Sequence, residues 1–523
     1  MTQALAGAGI ACLVVAAWLR VVLVTPARDR DAPWARITPQ ALSSQDRLAF
    51  SIGALRATDP DLVADRPLTA PQKRFLILLL GALLIVLVAA PKPTLIALIV
   101  VVNLIYIAAL ALRVRLFALG LNKRGLIEIG DDHARSYPPE RLPRYTVLVP
   151  AYHETDVFAR LVVNLRALDY PADRLEILLL LEADDHETIR AAQEAVGLES
   201  DVTILTVPAA QPRTKPKALN YGITVATGDL LTIYDAEDRP DPLQLRKAAI
   251  ALSTAPTDVA CVQAKLAFFN PGQNLLTRWF TIEYRIWFNE LLPGLSQLDA
   301  PIPLGGTSNH FRRAALLELG AWDPFNVTED ADLGIRLHRR GYRSAVLDSV
   351  TNEEANSDFI NWIKQRSRWY KGYAQTLLVH LRHPIQLYRE VGFGGFVFMC
   401  LFIGGTPLLA VLNPVFWITT ALWFIAHPPF IQSVIPAVPF YLGLTSWIIG
   451  NFLVIWTWLL SAKDCDDGLV LAALLAPVYW LMMGLAAIKG AMQLVTAPSF
   501  WEKTHHGLDT ASVSRGSELN APV

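Results

Sequence analysis

Leu230-Leu231-Thr232-Ile233-Tyr234-Asp235-Ala236-Glu237-Asp238 runs from strand-forming residues straight into acids, and Arg239-Pro240-Asp241-Pro242 then delays the next helix. An unbroken apolar run of this length reads as a strand buried on both faces. The pattern stands twice more upstream. A strand at 145–149 ends in Pro150-Ala151-Tyr152-His153-Glu154, and one at 176–181 ends in Glu182-Ala183-Asp184-Asp185. A further strand is expected at 202–207, with amphipathic helices at 156–168, 187–195 and 217–226 between the strands. This βαβα order implies an α/β domain with a mostly parallel sheet, whose ligands bind beyond the carboxyl ends of the strands. Helix capping accounts for any one acidic cluster. It accounts poorly for three on one edge. Hard oxygen ligands crowded on a loop suit Mg²⁺ or Mn²⁺ holding a diphosphate, and Lys215 and Lys217 open the preceding helix with phosphate-directed charge.

Around this domain the composition changes character. Of 523 residues 53% are hydrophobic and only 18% charged, which marks an integral membrane protein. The 46 Lys+Arg nearly balance the 47 Asp+Glu, so no basic surface for nucleic acid is expected. The four cysteines lack disulfide or zinc spacing. Apolar runs at 5–24, 75–90 and 94–112 precede the polar middle, and runs at 392–411, 413–426, 439–460 and 469–488 follow it. The Lys/Arg-rich stretch between the first two runs places that loop, and with it the domain, in the cytoplasm. The expected organisation is a first span at 1–24, a linker at 25–74, a span hairpin at 75–112, the cytoplasmic domain with interfacial helices at 113–390, about four spans at 391–490 and a cytoplasmic tail at 491–523. The expected location is the inner (plasma) membrane, multi-pass.

Two later motifs complete the set. Thr328-Glu329-Asp330-Ala331-Asp332-Leu333-Gly334-Ile335-Arg336 opens a helix with acids in its first turn, and Gln365-Arg366-Ser367-Arg368-Trp369 puts Gln365, Arg368 and Trp369 on one helix face. With Pro150–Glu154, Asp184-Asp185 and Asp235–Asp238 in this order and spacing, the chain from about 143 to 506 resembles the family 2 glycosyltransferases. The resemblance is to the membrane-embedded, processive branch that includes cellulose synthase and bacterial β-glucan synthases. It implies a GT-A, Rossmann-like domain inserted between spans.

The resemblance also implies roles. Asp330, with Glu329 beside it, takes the acceptor proton, while Glu154, Asp184, Asp185, Lys217, Asp235, Gln365 and Arg368 hold the donor. Trp369 and Gly306, Thr307 and Ser308 bind the acceptor. The family's metal motif places Asp at its third position where this chain has Glu237, so Asp235 pairs with either Glu237 or Asp238 around Mg²⁺ or Mn²⁺. The tail motif Trp501–Gly507 is expected to fold back as a gate. The implied activity is UDP-sugar-dependent β-glycosyl transfer, polymerising glucose from UDP-glucose into a β-1,4, β-1,3 or mixed β-glucan and moving it across the bilayer. The competing readings are a single addition to a membrane lipid and an inactive transporter or scaffold. No accessory protein is legible.

Overall fold

The computed structural model describes residues 42–197, 201–426, 429, 437–463, 467–498 and 500–502. The first expected span and most of the tail motif, His505 and His506 included, lie outside the described residues. In chain order the strands are β1 (Leu126–Ile127), β2 (Tyr145–Ala151), β3 (Leu175–Glu182), β4 (Val202–Val207), β5 (Leu230–Ile233), β6 (Arg239–Pro240), β7 (Val259–Phe268), β8 (Asn309–Arg312) and β9 (Arg343–Glu353). They form one sheet in the order β1-β9-β7-β8-β5-β2-β3-β4, with β6 pairing β9 off that path.

Val147 on β2 stands opposite Ile177 on β3 and Thr232 on β5, all in parallel register. Strand β8 runs antiparallel to both β5 and β7, so the sheet is mixed. Tyr145, Val147, Leu148 and Val149 are fully buried, as a strand covered on both faces requires. From β2 the chain walks outward to β3 and β4, then returns to place β5 on the other side of β2. That reversal opens a crevice at the carboxyl ends of β2 and β5. Pro150–Glu154 and Asp235–Asp238 stand there.

The helices fall into three groups. Helix α1 (Ser44–Thr58) precedes α2 (Ala70–Ala89) and α3 (Pro91–Gly120), which form the expected hairpin. A capping box between Thr69 and Gln72 opens α2. Within the expected linker, residues 44–66 are packed against the rest of the chain. Phe50, Ala54 and Leu55 are buried, the Ala64 N–H donates to Asp323 at 2.6 Å, and Arg382 donates to the carbonyls of Asp61 and Val63 at 2.8 and 2.9 Å.

Within the domain lie α4 (Phe158–Arg166), α5 (His186–Val196), α6 (Lys215–Ile223), α7 (Gln244–Thr254), α8 (Leu275–Arg285) and α9 (Glu329–Arg339). After it come α10 (Phe359–His380), α11 (Pro384–Phe398), α12 (Gly405–Ala426), α13 (Ala437–Ala462), α14 (Asp467–Leu474) and α15 (Ala476–Thr496).

Among the described residues five helical stretches are long and apolar enough to cross a membrane: Ala70–Ala89, Pro91–Gly120, Pro384–Ala426, Phe440–Ala462 and Ala476–Thr496. Large apolar side chains such as Val88, Ile425 and Phe452 point outward from them, and such a surface is stable only against lipid. The chain is therefore membrane-associated. Three of these stretches follow the domain, not the four expected. The helix runs unbroken through Asn413-Pro414; Gly484 of α15 leaves room for the proline ring, a Cβ there coming within 2.5 Å of Pro414 Cγ, and Asn413 Nδ2 donates to the Trp480 carbonyl at 3.2 Å. The chain turns instead at Gly392, whose φ of 68° a side chain would strain.

Candidate active site

A cavity of about 560 Å³ begins at the crevice and continues to the membrane-side helices. Asp235, Glu237, Glu329, Asp330, Glu353 and Lys215 line it near the strand ends, and Arg113, Val454, Trp458, Trp480 and Met483 line it near α3, α13 and α15. Helix α8 bridges the two. Its continuation contributes Tyr284, Trp287 and Phe288 to the wall, so this aromatic stretch borders the cavity as well as the membrane side.

The acidic loop after β5 divides its labour. Asp235 is ion-paired with the Lys215 ammonium, which also donates to the Gly306 carbonyl at 2.7 Å. Asp238 turns inward. One of its oxygens accepts from the Asp235 N–H at 2.8 Å and from the Thr307 hydroxyl, and Oδ1 is buried with no hydrogen-bond partner among the described residues. Burial, then the charges of Asp235 and Glu237, push its carboxyl well above the usual range. Burial, followed by Asp238, Asp235 and Glu237, does the same to Glu353 on the neighbouring strand β9.

So much negative charge in one buried place suits a divalent cation. Among the described residues no three acids, histidines or cysteines converge on one point. Asp235 and Glu237, which both line the cavity while Asp238 does not, fit an ion that draws its remaining oxygens from a bound diphosphate.

Asp330 and Glu329 sit in the first turn of α9, Glu329 buried and Asp330 partly exposed, both facing the cavity. Gly306 lets the opposite backbone come close, since a Cβ there would lie 3.4 Å from Asp330 Oδ2. Burial and then the Asp330 charge push Glu329 up to about 8. Burial pushes Asp330 up to about 6, against the nearby Lys215 ammonium. Asp332 locks the helix from behind, bonding Arg336 Nε at 2.7 Å and His380 Nε2 of α10 at 2.9 Å.

Gln365, Arg368 and Trp369 of α10 all reach the cavity. Arg368 donates to the Glu502 carbonyl at 3.0 Å and lies 4.6 Å from the Trp501 ring centre, so the described end of the tail is folded against the site. The Trp369 ring stacks on Tyr284 with centroids 6.4 Å apart. Arg366 lies 4.5 Å from its ring centre, held by Glu283 and Tyr479. Residues 143–372, which hold every one of these side chains except Arg113 and those from His380 onward, match the model of glycosyltransferase like family 2.

Over these residues the chain is similar to the family 2 glycosyltransferases.

It is 29% identical over 256 residues to a probable glycosyltransferase, YdaM, of Bacillus subtilis, covering 48% of this chain and 60% of that one. It is 26% identical over 264 residues to a beta-monoglucosyldiacylglycerol synthase of Trichormus variabilis, covering 50% and 55%. It is 28% identical over 247 residues to a probable glucomannan 4-beta-mannosyltransferase of Arabidopsis thaliana, covering 45% and 44%. The chain thus spans about half the length of the curated relatives it matches.

In this domain several expected residues stand elsewhere than on the cavity. Lys217 is fully buried, its ammonium 2.8 Å from Glu182 and capped by the Pro208 and Ala210 carbonyls, and it faces the interior. Lys215, two residues earlier, is the lysine that reaches the acids. Ser308, at φ 57°, is buried and bonds Thr351 at 2.7 Å. Asp185 caps α5 through the Thr188 N–H and accepts from the His153 N–H at 2.5 Å, which fixes the turn before Glu154. Asp184 pairs with Arg213, and it is Arg213 that lines the cavity with Glu154, Gly306 and Thr307. Sequence reasoning passed over Glu283, Glu353, Arg213 and Arg113, because each lies outside the strand-end motifs. His310 is buried with Nδ1 2.6 Å from the Tyr145 hydroxyl.

Lys217→Met should therefore destabilise the protein by about 3–5 kcal/mol, the cost of stranding one partner of a buried pair. Uridine diphosphate affinity of the folded fraction should stay within twofold. Thermal melts and nucleotide titration check this, and a selective loss of nucleotide binding would return Lys217 to the donor site.

Proposed function

We propose that the chain is a processive, inverting glycosyltransferase that builds a β-glucan from UDP-glucose and passes it toward the membrane helices. One observation carries the reading: the cavity runs without interruption from the acids at the strand ends to the rings of Tyr284, Trp287, Trp369, Trp458 and Trp480. Aromatic faces of this kind hold sugar rings while one end of a chain waits for the next addition.

Asp330 accepts the proton of the acceptor hydroxyl as that oxygen attacks the anomeric carbon in line. The bond from that carbon to the diphosphate breaks with inversion, and uridine diphosphate departs with the electron pair. Lys215 and Arg368 orient the diphosphate, and Gln365, in the same cavity wall, offers it the N–H donors of its side-chain amide. A divalent cation held by Asp235 and Glu237 would neutralise the leaving diphosphate. Trp369 keeps the acceptor in register. The Lys/Arg-rich loops favour a plasma-membrane protein with the domain in the cytoplasm.

A second reading, one sugar added to a membrane lipid, is favoured by the apolar Val454 and Met483 in the same wall. The test is product analysis after incubating purified protein with radiolabelled UDP-glucose. A high-molecular-weight β-linked product is expected. Trp369→Ala should cut polymer formation at least tenfold with uridine diphosphate affinity within twofold, because a lost stacking contact and its burial amount to about 1–3 kcal/mol. A singly glycosylated lipid would replace the processive reading with the lipid-directed one, and normal polymer from Trp369→Ala would remove Trp369 from the acceptor site.

A further inference from the structure

The membrane-side part of the cavity holds a charge that the transfer chemistry does not use. Arg113, in the domain-side third of α3, lines the cavity. Its described partners are the Thr406 hydroxyl, 2.7 Å from Nη2, and the Phe402 ring, whose centre is 5.0 Å from the guanidinium carbon. Neither carries charge. The neighbouring carboxylate, Glu283, is engaged by Arg366 at 2.8 Å and by the Tyr479 hydroxyl at 2.7 Å. An ionised side chain on an apolar helix is costly unless a counter-charge meets it, so such a residue marks a ligand. Arg113 has about four further N–H donors to offer in a planar fork, the geometry that matches phosphate.

We infer that Arg113 binds the phosphate of a membrane lipid whose hydroxyl or sugar end is the acceptor. The surroundings fix the class. Val454, Met483 and Trp458 give the wall beside Arg113 an apolar face that suits an acyl or prenyl tail. Arg113, Tyr373 and Asp330 line the same cavity, and Tyr373 is within electrostatic range of both Asp330 and Arg113. A lipid whose phosphate is held at Arg113 therefore has its polar end in the cavity that also holds the proton-accepting carboxylate. The donor's own diphosphate is served by Lys215 and Arg368 at the strand ends. The inference goes beyond polymer synthesis: it names the first acceptor, on which a chain starts or a single sugar is placed.

The test is equilibrium binding to the full chain in neutral maltoside micelles, so it needs no turnover. Decyl phosphate should bind at least tenfold more tightly than decyl glucoside and than inorganic phosphate. Arg113→Gln should lose tenfold or more of that affinity, with uridine diphosphate affinity unchanged. Arg113→Lys, which keeps the charge and guards against a variant that fails to fold, should lose severalfold. Equal binding of decyl phosphate by wild type and both variants would overturn the proposal, as would equal affinity for decyl glucoside. Inorganic phosphate binding as tightly as the alkyl ester would make this a site for a free anion and overturn the lipid assignment. A parallel loss of uridine diphosphate affinity would place Arg113 with the donor instead.

Discussion

Asp330→Asn should lower transfer by about 10²–10⁴-fold while leaving uridine diphosphate affinity and thermal stability close to wild type, because the change removes the proton acceptor and little else. The Asp330 carboxyl is held by the adjacent Ala331 N–H at 2.7 Å, a contact that an amide oxygen also makes. The pH dependence gives a second readout. A general base works deprotonated, and burial pushes Asp330 up to about 6, so transfer by wild type should fall as pH drops through that value. The residual activity of the variant should lack that limb.

Glu329, pushed up to about 8 by burial and by Asp330, keeps its proton at pH 7. Glu329→Gln imitates that protonated state and should retain most activity at pH 7, so the two neighbours separate cleanly. Rates across pH 5 to 9 for wild type and both variants make the check. Full activity in Asp330→Asn with silence in Glu329→Gln would exchange their roles.

The legible parts of this molecule are those that a short stretch of chain determines. β2, β3 and β5 could be read because both faces of each are covered, which writes the strand as an unbroken apolar run. The acids at their ends could be read because the strand order forces those ends to one crevice. What a side chain does beyond that depends on distant partners. Lys215 and Lys217 lie two positions apart on α6, about 200° around the helix, so only one can face the cavity. The choice is made by Glu182 and the Pro208 and Ala210 carbonyls, which draw Lys217 inward. Docking of residues 44–66 shows in the sequence only as the short apolar face of Phe50, Ala54 and Leu55, and its polar part rests on Asp323 and Arg382, roughly 300 positions away and bonding mostly to backbone. The Pro414 ring of α12 packs where Gly484 of α15 leaves room, a fact about another helix.

Asp235→Asn should be nearly as damaging as loss of the base, for a different reason. Asp235 and Glu237 are the two carboxylates of the loop that face the cavity, while Asp238 is turned inward and occupied by the Asp235 N–H and the Thr307 hydroxyl. Removing the Asp235 charge also frees Lys215, which now shares its ammonium between that carboxylate and the Gly306 carbonyl. The diphosphate would keep its lysine. It would lose the negative pole that attracts a divalent ion, and transfer should fall by about 10²–10³-fold, the scale of one lost electrostatic stabiliser of the leaving group. Manganese binding in the presence of uridine diphosphate, followed by electron paramagnetic resonance, should weaken at least tenfold in Asp235→Asn and in Glu237→Gln. Asp238→Asn should instead lower the melting temperature more than it weakens the ion, because Asp238 holds the loop together from inside. If Asp238→Asn abolished manganese binding while Glu237→Gln left it intact, the ligand would be Asp238, and the loop would have to open before the ion could enter.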